Sequence, residues 1–123
     1  MTIDFYHIQQ QEISGNECSA SFFLHPEHAI FKGHFPGNPV LPGVCMIQMI
    51  KDVFSDTIGI KTHIRTIHQV KFLELIVPEA ETVLQLYLHW TTTEPGQWQV
   101  QADLKKGEKV FCKFKGIFVE AQP

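Results

Sequence analysis

The chain has 123 residues, of which 44% are hydrophobic and 19% charged, with a formal net charge of −3 at pH 7. This length suits one domain, expected over residues 1–123 and able to bury roughly two-thirds of its unfolded surface. A slightly acidic chain lacks the basic face that nucleic acid requires, and no apolar run approaches the ~18 residues of a membrane span. The N-terminal MTIDFYHIQQQ carries no basic-then-apolar leader, so the expected compartment is cytoplasmic. Cys18, Cys45 and Cys112 are odd in number and far apart. They fit reduced thiols better than a disulfide framework, and no ligand spacing for a metal is present.

Residues 3–13 and 17–25 read as two strands joined at the turn signal SGN. The stretch 25–43 is broken by Pro and Gly and supports neither a regular helix nor a ladder strand. Pro42 suits the first turn of a helix, where a missing N–H costs nothing. That helix is predicted from about 42 to 57, with Gly59 as its stop. From Val44 to Ile50 it is apolar nearly all round, interrupted only by Gln48, which predicts a helix wrapped by protein. Lys51, Asp52, Ser55 and Asp56 follow as it reaches solvent.

Four strand-like segments come next, at about 62–76, 81–92, 97–105 and 109–119. LQLYLHW at 84–90 alternates with the period of a sheet that has two unlike faces. VPEAE, TEPGQ and KKGEK are turn signals. The predicted fold is therefore α+β: an antiparallel sheet of about six strands wrapped round one long helix. Exposed sheet edges favour at least a dimer in which the sheet continues.

The strongest chemical signal is GHFPGNPVLPGV, residues 33–44. It places one titratable side chain, His34, in a loop restricted by Pro36, Pro39 and Pro42 and given tight-turn geometry by Gly33, Gly37 and Gly43. It resembles the signature of the bacterial β-hydroxyacyl-acyl-carrier-protein dehydratases (FabZ/FabA-like), which have the hotdog fold. A second, weaker match is VKFLELIVPEAE at 70–81, similar to the family's strand with a basic-aromatic pair followed by a turn. Together the two matches and the strand order cover nearly the whole chain.

The resemblance implies a lyase that eliminates water from β-hydroxyacyl thioesters of acyl carrier protein, or of coenzyme A, to give the trans-2-enoyl thioester. No cofactor and no metal are implied. A base must take the Cα proton, and a histidine titrates in the right range. Charge then develops on the thioester oxygen, where free N–H groups at a helix N-terminus, around Gly43 and Val44, stabilise it. His34 is accordingly expected as base and Gly43 as oxyanion donor. Phe35, Pro36, Gly37, Val44 and Phe72 are expected to bind substrate. The resemblance also implies a site at a dimer interface, with His34 of one chain facing Gln48 of the other.

Gln48 departs from the family, whose helix carries Glu or Asp at that position. An amide holds a hydroxyl or a water but does not supply a proton. Three readings stay open. Asp52, one turn on, substitutes for the missing acid. The chain is instead an acyl thioesterase, with Gln48 positioning water. Or it is a catalytically impaired acyl-binding or heterodimer partner subunit.

The remaining residues have plainer readings. Cys45 reads as a small buried hydrophobe. His25, His28, His63, His68 and His89 read as surface or strand residues. Lys105, Lys106, Lys109, Lys113 and Lys115 read either as a solvated edge that blocks strand pairing or as a dock for an acidic carrier protein.

Overall fold

The computed structural model describes residues 5–31, 39–79 and 82–121. Its elements in chain order are β1 (Tyr6–Ser14), β2 (Glu17–Leu24), a three-residue 3-10 turn (Ala29–Phe31), α1 (Gly43–Ile58), β3 (Thr62–Phe72), β4 (Leu84–Glu94), β5 (Gln97–Lys106) and β6 (Lys109–Glu120). All six strands join one antiparallel sheet in the order β1-β2-β4-β5-β6-β3. This is the α+β arrangement expected from the sequence, including the hairpins at residues 15–16, 95–96 and 107–108.

Period-two alternation decides which face of the sheet receives the helix. Leu84, Leu86, Leu88 and Trp90 on β4 are buried, as are Trp98, Val100, Ala102 and Leu104 on β5. The residues between them face outward. Cys45, Met46, Met49, Ile50, Val53 and Phe54 of α1 complete this core. Phe54 is fully buried, with its ring 5.2 Å from Phe118, 5.5 Å from Trp90 and 5.8 Å from Trp98, all near edge-to-face. That geometry suits the quadrupoles of aromatic rings. At the other end of α1, Gly59 takes the left-handed conformation (φ 72°) and returns its N–H to the Ser55 carbonyl at 2.9 Å.

Three expectations change. The helix is not enclosed all round within one chain: Val44 is 71% exposed and Gln48 is exposed. The sheet covers one side of α1 and leaves the Val44–Gln48 side open. Next, β3 ends at Phe72 rather than near 76, because the Leu73 and Glu74 N–H groups both turn to the Phe111 carbonyl. Finally, the lysines of β5 and β6 do not guard an edge. Both strands are interior, and β1 and β3 form the edges. β3 takes the outer place because it pairs only with β6, through two bulges.

Gly116 on β6 shows how closely these two strands meet. A Cβ built there stands 2.6 Å from the Thr66 carbonyl oxygen and 3.0 Å from the Phe114 ring. Backbone cannot yield as a flexible side chain does. Gly116→Ala is therefore expected to destabilise the fold by about 1–3 kcal/mol, the usual cost of overpacking, measured by urea denaturation.

Candidate active site

His34 and its neighbours Gly33, Phe35, Pro36 and Gly37 lie outside the described residues. The structure does describe what the loop feeds into. The Leu41 N–H donates to the Ile76 carbonyl at 2.8 Å, which fixes the end of the loop against the segment after β3. Pro42 follows as the N-cap in extended conformation (ψ 146°), with no side-chain hydrogen bond to the helix. Its carbonyl accepts from the Cys45 and Met46 N–H groups at 3.0 and 3.3 Å. The Gly43 and Val44 N–H groups come earlier in the turn, so the helix itself holds no acceptor for them. They carry the positive end of the helix dipole.

Phe72, the last residue of β3, lies directly over this helix end. A Cβ on Gly43 would stand 2.8 Å from Phe72 Cζ and about the same from its flanking ring carbons, 3.0 and 3.1 Å. Only glycine lets the ring sit so near the helix N-terminus. The ring is also half exposed, so it presents an apolar wall beside Gly43. The apolar surface continues along Leu73, Leu75 and Val77, exposed at 48%, 69% and 52%. Sequence reading did not find this extension, because it placed most of that run inside a strand.

One turn along α1 from Val44, Gln48 Nε2 donates to Asp52 Oδ1 at 3.0 Å. Lys51 Nζ stands 3.9 Å from the same oxygen. The structure thus gathers Gly43, Val44, Phe72 and Gln48 along the helix end and its open face. Two clefts of the single chain lie elsewhere. One of about 370 Å³ lies on the outer sheet face, between Glu12, Glu17, His89 and Asp103. One of about 540 Å³ lies past Asp52, towards Lys61 and Tyr6. Neither is lined by Gly43, Val44, Gln48 or Phe72.

Cys45 and Cys112 offer no competing nucleophile. All three thiols are buried and free. Burial pushes the Cys45 thiol up, and pushes Cys112 up to about 11 with the Asp103 charge adding to the effect. Both therefore stay protonated and unreactive near neutral pH. His28 accepts from the Ile30 N–H through Nδ1 at 3.0 Å, a turn-shaping role. Among the described residues, no group of three His, Cys, Asp or Glu side chains is placed to hold a metal ion. No helix among them is long and apolar enough to cross a membrane.

The chain is similar to known proteins over most of its length. A family model for the ApeI-like dehydratases matches residues 9–115. The chain is 32% identical over 111 residues to the 3-hydroxyacyl-acyl-carrier-protein dehydratase FabZ of Levilactobacillus brevis, covering 85% of this chain and 72% of that one. It is 28% identical over 113 residues to the FabZ of Lactobacillus helveticus, covering 86% and 74%. Among solved structures, the dehydratase heterocomplex ApeI:P from Xenorhabdus doucetiae matches with a TM-score of 0.75 at 23% identity, over 93% of this chain and 97% of that one. The PaaI protein of E. coli matches with a TM-score of 0.67 at 9% identity, over 95% and 80%. The chain belongs to the ApeI-like dehydratase family, a hotdog-fold group related to FabZ.

Proposed function

We propose that this protein eliminates water from β-hydroxyacyl thioesters of acyl carrier protein, with coenzyme A thioesters as the alternative carrier. The observation that carries the reading is the bare helix end at Gly43, which follows the histidine loop directly and has Phe72 pressed against it. The thioester carbonyl accepts a hydrogen bond from the Gly43 N–H. Charge developing on its oxygen is stabilised by that N–H and by the helix dipole. His34 removes the Cα proton, and those electrons form the Cα–Cβ double bond as the Cβ–O bond breaks. The imidazolium returns its proton to the departing hydroxide, which leaves as water. Gln48 orients the β-hydroxyl, and the acyl chain runs past Val44 and Phe72 towards Phe35, Pro36 and Gly37. The carrier protein is acidic in this reading, and Lys105, Lys106, Lys113 and Lys115 supply complementary charge.

The working unit is at least a dimer. Val44 and Gln48 lie open in one chain, and the free edge of β3 ends at Phe72 beside them. A second hotdog chain pairing along β3 covers both, with its His34 loop facing Gln48. The work is placed in the cytoplasm.

The amide at position 48 favours a second reading, in which a different hotdog subunit supplies a carboxylic acid to a shared site. Intact-mass analysis of β-hydroxyacyl carrier protein separates the outcomes. The proposal predicts enoyl thioester from the wild-type chain alone. Free acid would mean a thioesterase, and no product without a second subunit would favour the shared site.

A related expectation concerns Gln48→Glu. The new carboxyl would stand about where Gln48 Nε2 now lies, 3.0 Å from Asp52 Oδ1. Two carboxylates so close do not both ionise, so the new group keeps a proton to higher pH and becomes an acid. Turnover is expected to rise about tenfold, less than the ~10²–10⁴-fold of a fully positioned acid. Its pH profile should gain a falling limb on the alkaline side, where the proton is lost.

A further inference from the structure

We infer that Asp52 is a positioning residue, fixing the Gln48 amide so that its carbonyl oxygen is presented to the substrate's β-hydroxyl. The inference rests on the dehydratase reading above and specifies what Gln48 does within it. A glutamine amide is ambiguous by itself, because its oxygen and nitrogen exchange places on a half-turn and one accepts where the other donates. A carboxylate removes the ambiguity: an ionised carboxylate only accepts, so the amide must turn Nε2 towards it. The 3.0 Å contact from Nε2 to Asp52 Oδ1 is that arrangement. Lys51 Nζ, at 3.9 Å, is beyond hydrogen-bond reach of the same oxygen, so the amide holds the closer contact.

Helix geometry supplies the direction. Residues four apart stack on one face, and side chains lean towards the N-terminus. Asp52 therefore reaches back to Gln48 from the C-terminal side. With Nε2 engaged there, Oε1 is turned off the Asp52 side as an acceptor of fixed place. Val44, four residues before Gln48, is 71% exposed, so the same face stays open up to the helix end at Gly43. An acceptor fixed on this face suits a substrate group that donates, and the β-hydroxyl is such a group. It holds the hydroxyl oxygen in place while the proton arrives from His34. Without Asp52 the amide spends part of its time reversed, with nitrogen facing the hydroxyl and the elimination geometry lost.

A purely structural Gln–Asp pair that steadies the helix makes a different prediction, and a double-mutant cycle on kcat and KM separates the two. Wild type, Asp52→Ala, Gln48→Ala and the double variant are assayed with β-hydroxyacyl carrier protein, each checked for its denaturation midpoint. Asp52→Ala is expected to lower kcat about tenfold with KM unchanged, short of the ~10²-fold cost of full misplacement. In the Gln48→Ala background the same change should lower kcat no further. Asp52→Asn, whose amide donates as well as accepts, brings the ambiguity back at nearly unchanged shape and should recover little of the loss. An unchanged kcat in Asp52→Ala, or an equal fall in both backgrounds, would overturn the positioning role while leaving the dehydratase reading intact. A wild-type chain that forms no enoyl product, either alone or with a second hotdog subunit, would remove the dehydratase reading, and the role of Asp52 with it.

Discussion

His34→Ala is expected to lower kcat for dehydration by about 10²–10⁴-fold, the usual contribution of a positioned general base. The reasoning starts from the reaction. Removing a proton alpha to a thioester requires a base whose neutral form exists near pH 7, and a histidine meets that requirement. His34 precedes the bare helix end at Gly43 in one stiff run, GHFPGNPVLPG, with Pro42 as the N-cap. In the dimer we propose, the His34 loop of one chain faces the Gly43–Gln48 side of the other chain's helix, which brings base and oxyanion donor to one substrate. The loss should fall on kcat, because in the reading we propose Val44, Phe72 and the lysines still hold the acyl chain and the carrier. Steady-state kinetics with circular dichroism checks it. An altered spectrum would assign the loss to folding instead.

The largest effect on stability is expected from Phe54→Ala, at about 3–5 kcal/mol, measured by urea denaturation. Phe54 is fully buried and meets Trp90, Trp98 and Phe118 edge-on, joining α1 to three strands at once. The surrounding rings come from β4, β5 and β6, which are held together by their own ladders and cannot close over the vacated volume. A loss of that size is a large part of the ~5–15 kcal/mol by which proteins of this kind are stable. Phe54→Leu, which keeps most of the volume, should cost clearly less.

The two residues also mark how far the sequence could be read. Phe54 falls on the buried side of a helix whose start at Pro42 and stop at Gly59 were both legible from backbone chemistry. The strands were legible for a similar reason, since LQLYLHW can bury one face only if it alternates. His34 stood out because its loop is so constrained, and Gln48 because it breaks an apolar run. What was not legible depends on long-range placement. Nothing local says that β3 crosses to the far edge beside β6, or that Phe72 at its end comes to rest on Gly43. Glycine there reads equally well as a loop residue until the ring appears 2.8 Å from its missing Cβ. The apolar run from Val44 to Ile50 was read as enclosure. One sheet covers only one side of a helix, and the side bearing Val44 and Gln48 stays open for the substrate and second chain we propose. The Gln48–Asp52 contact lay between these cases. The spacing of four put the two on one face, but only the structure shows which atom of the amide meets the carboxylate.

The central claim is that this chain moves a proton at Cα of an acyl thioester through His34. The most direct measurement follows deuterium from heavy water during hydration of a trans-2-enoyl carrier protein, the reverse of the proposed elimination. The account predicts a β-hydroxyacyl product carrying deuterium at Cα with the wild-type chain, and none above background with His34→Ala. Release of free acid without deuterium at Cα, or equal incorporation by both proteins, would contradict it.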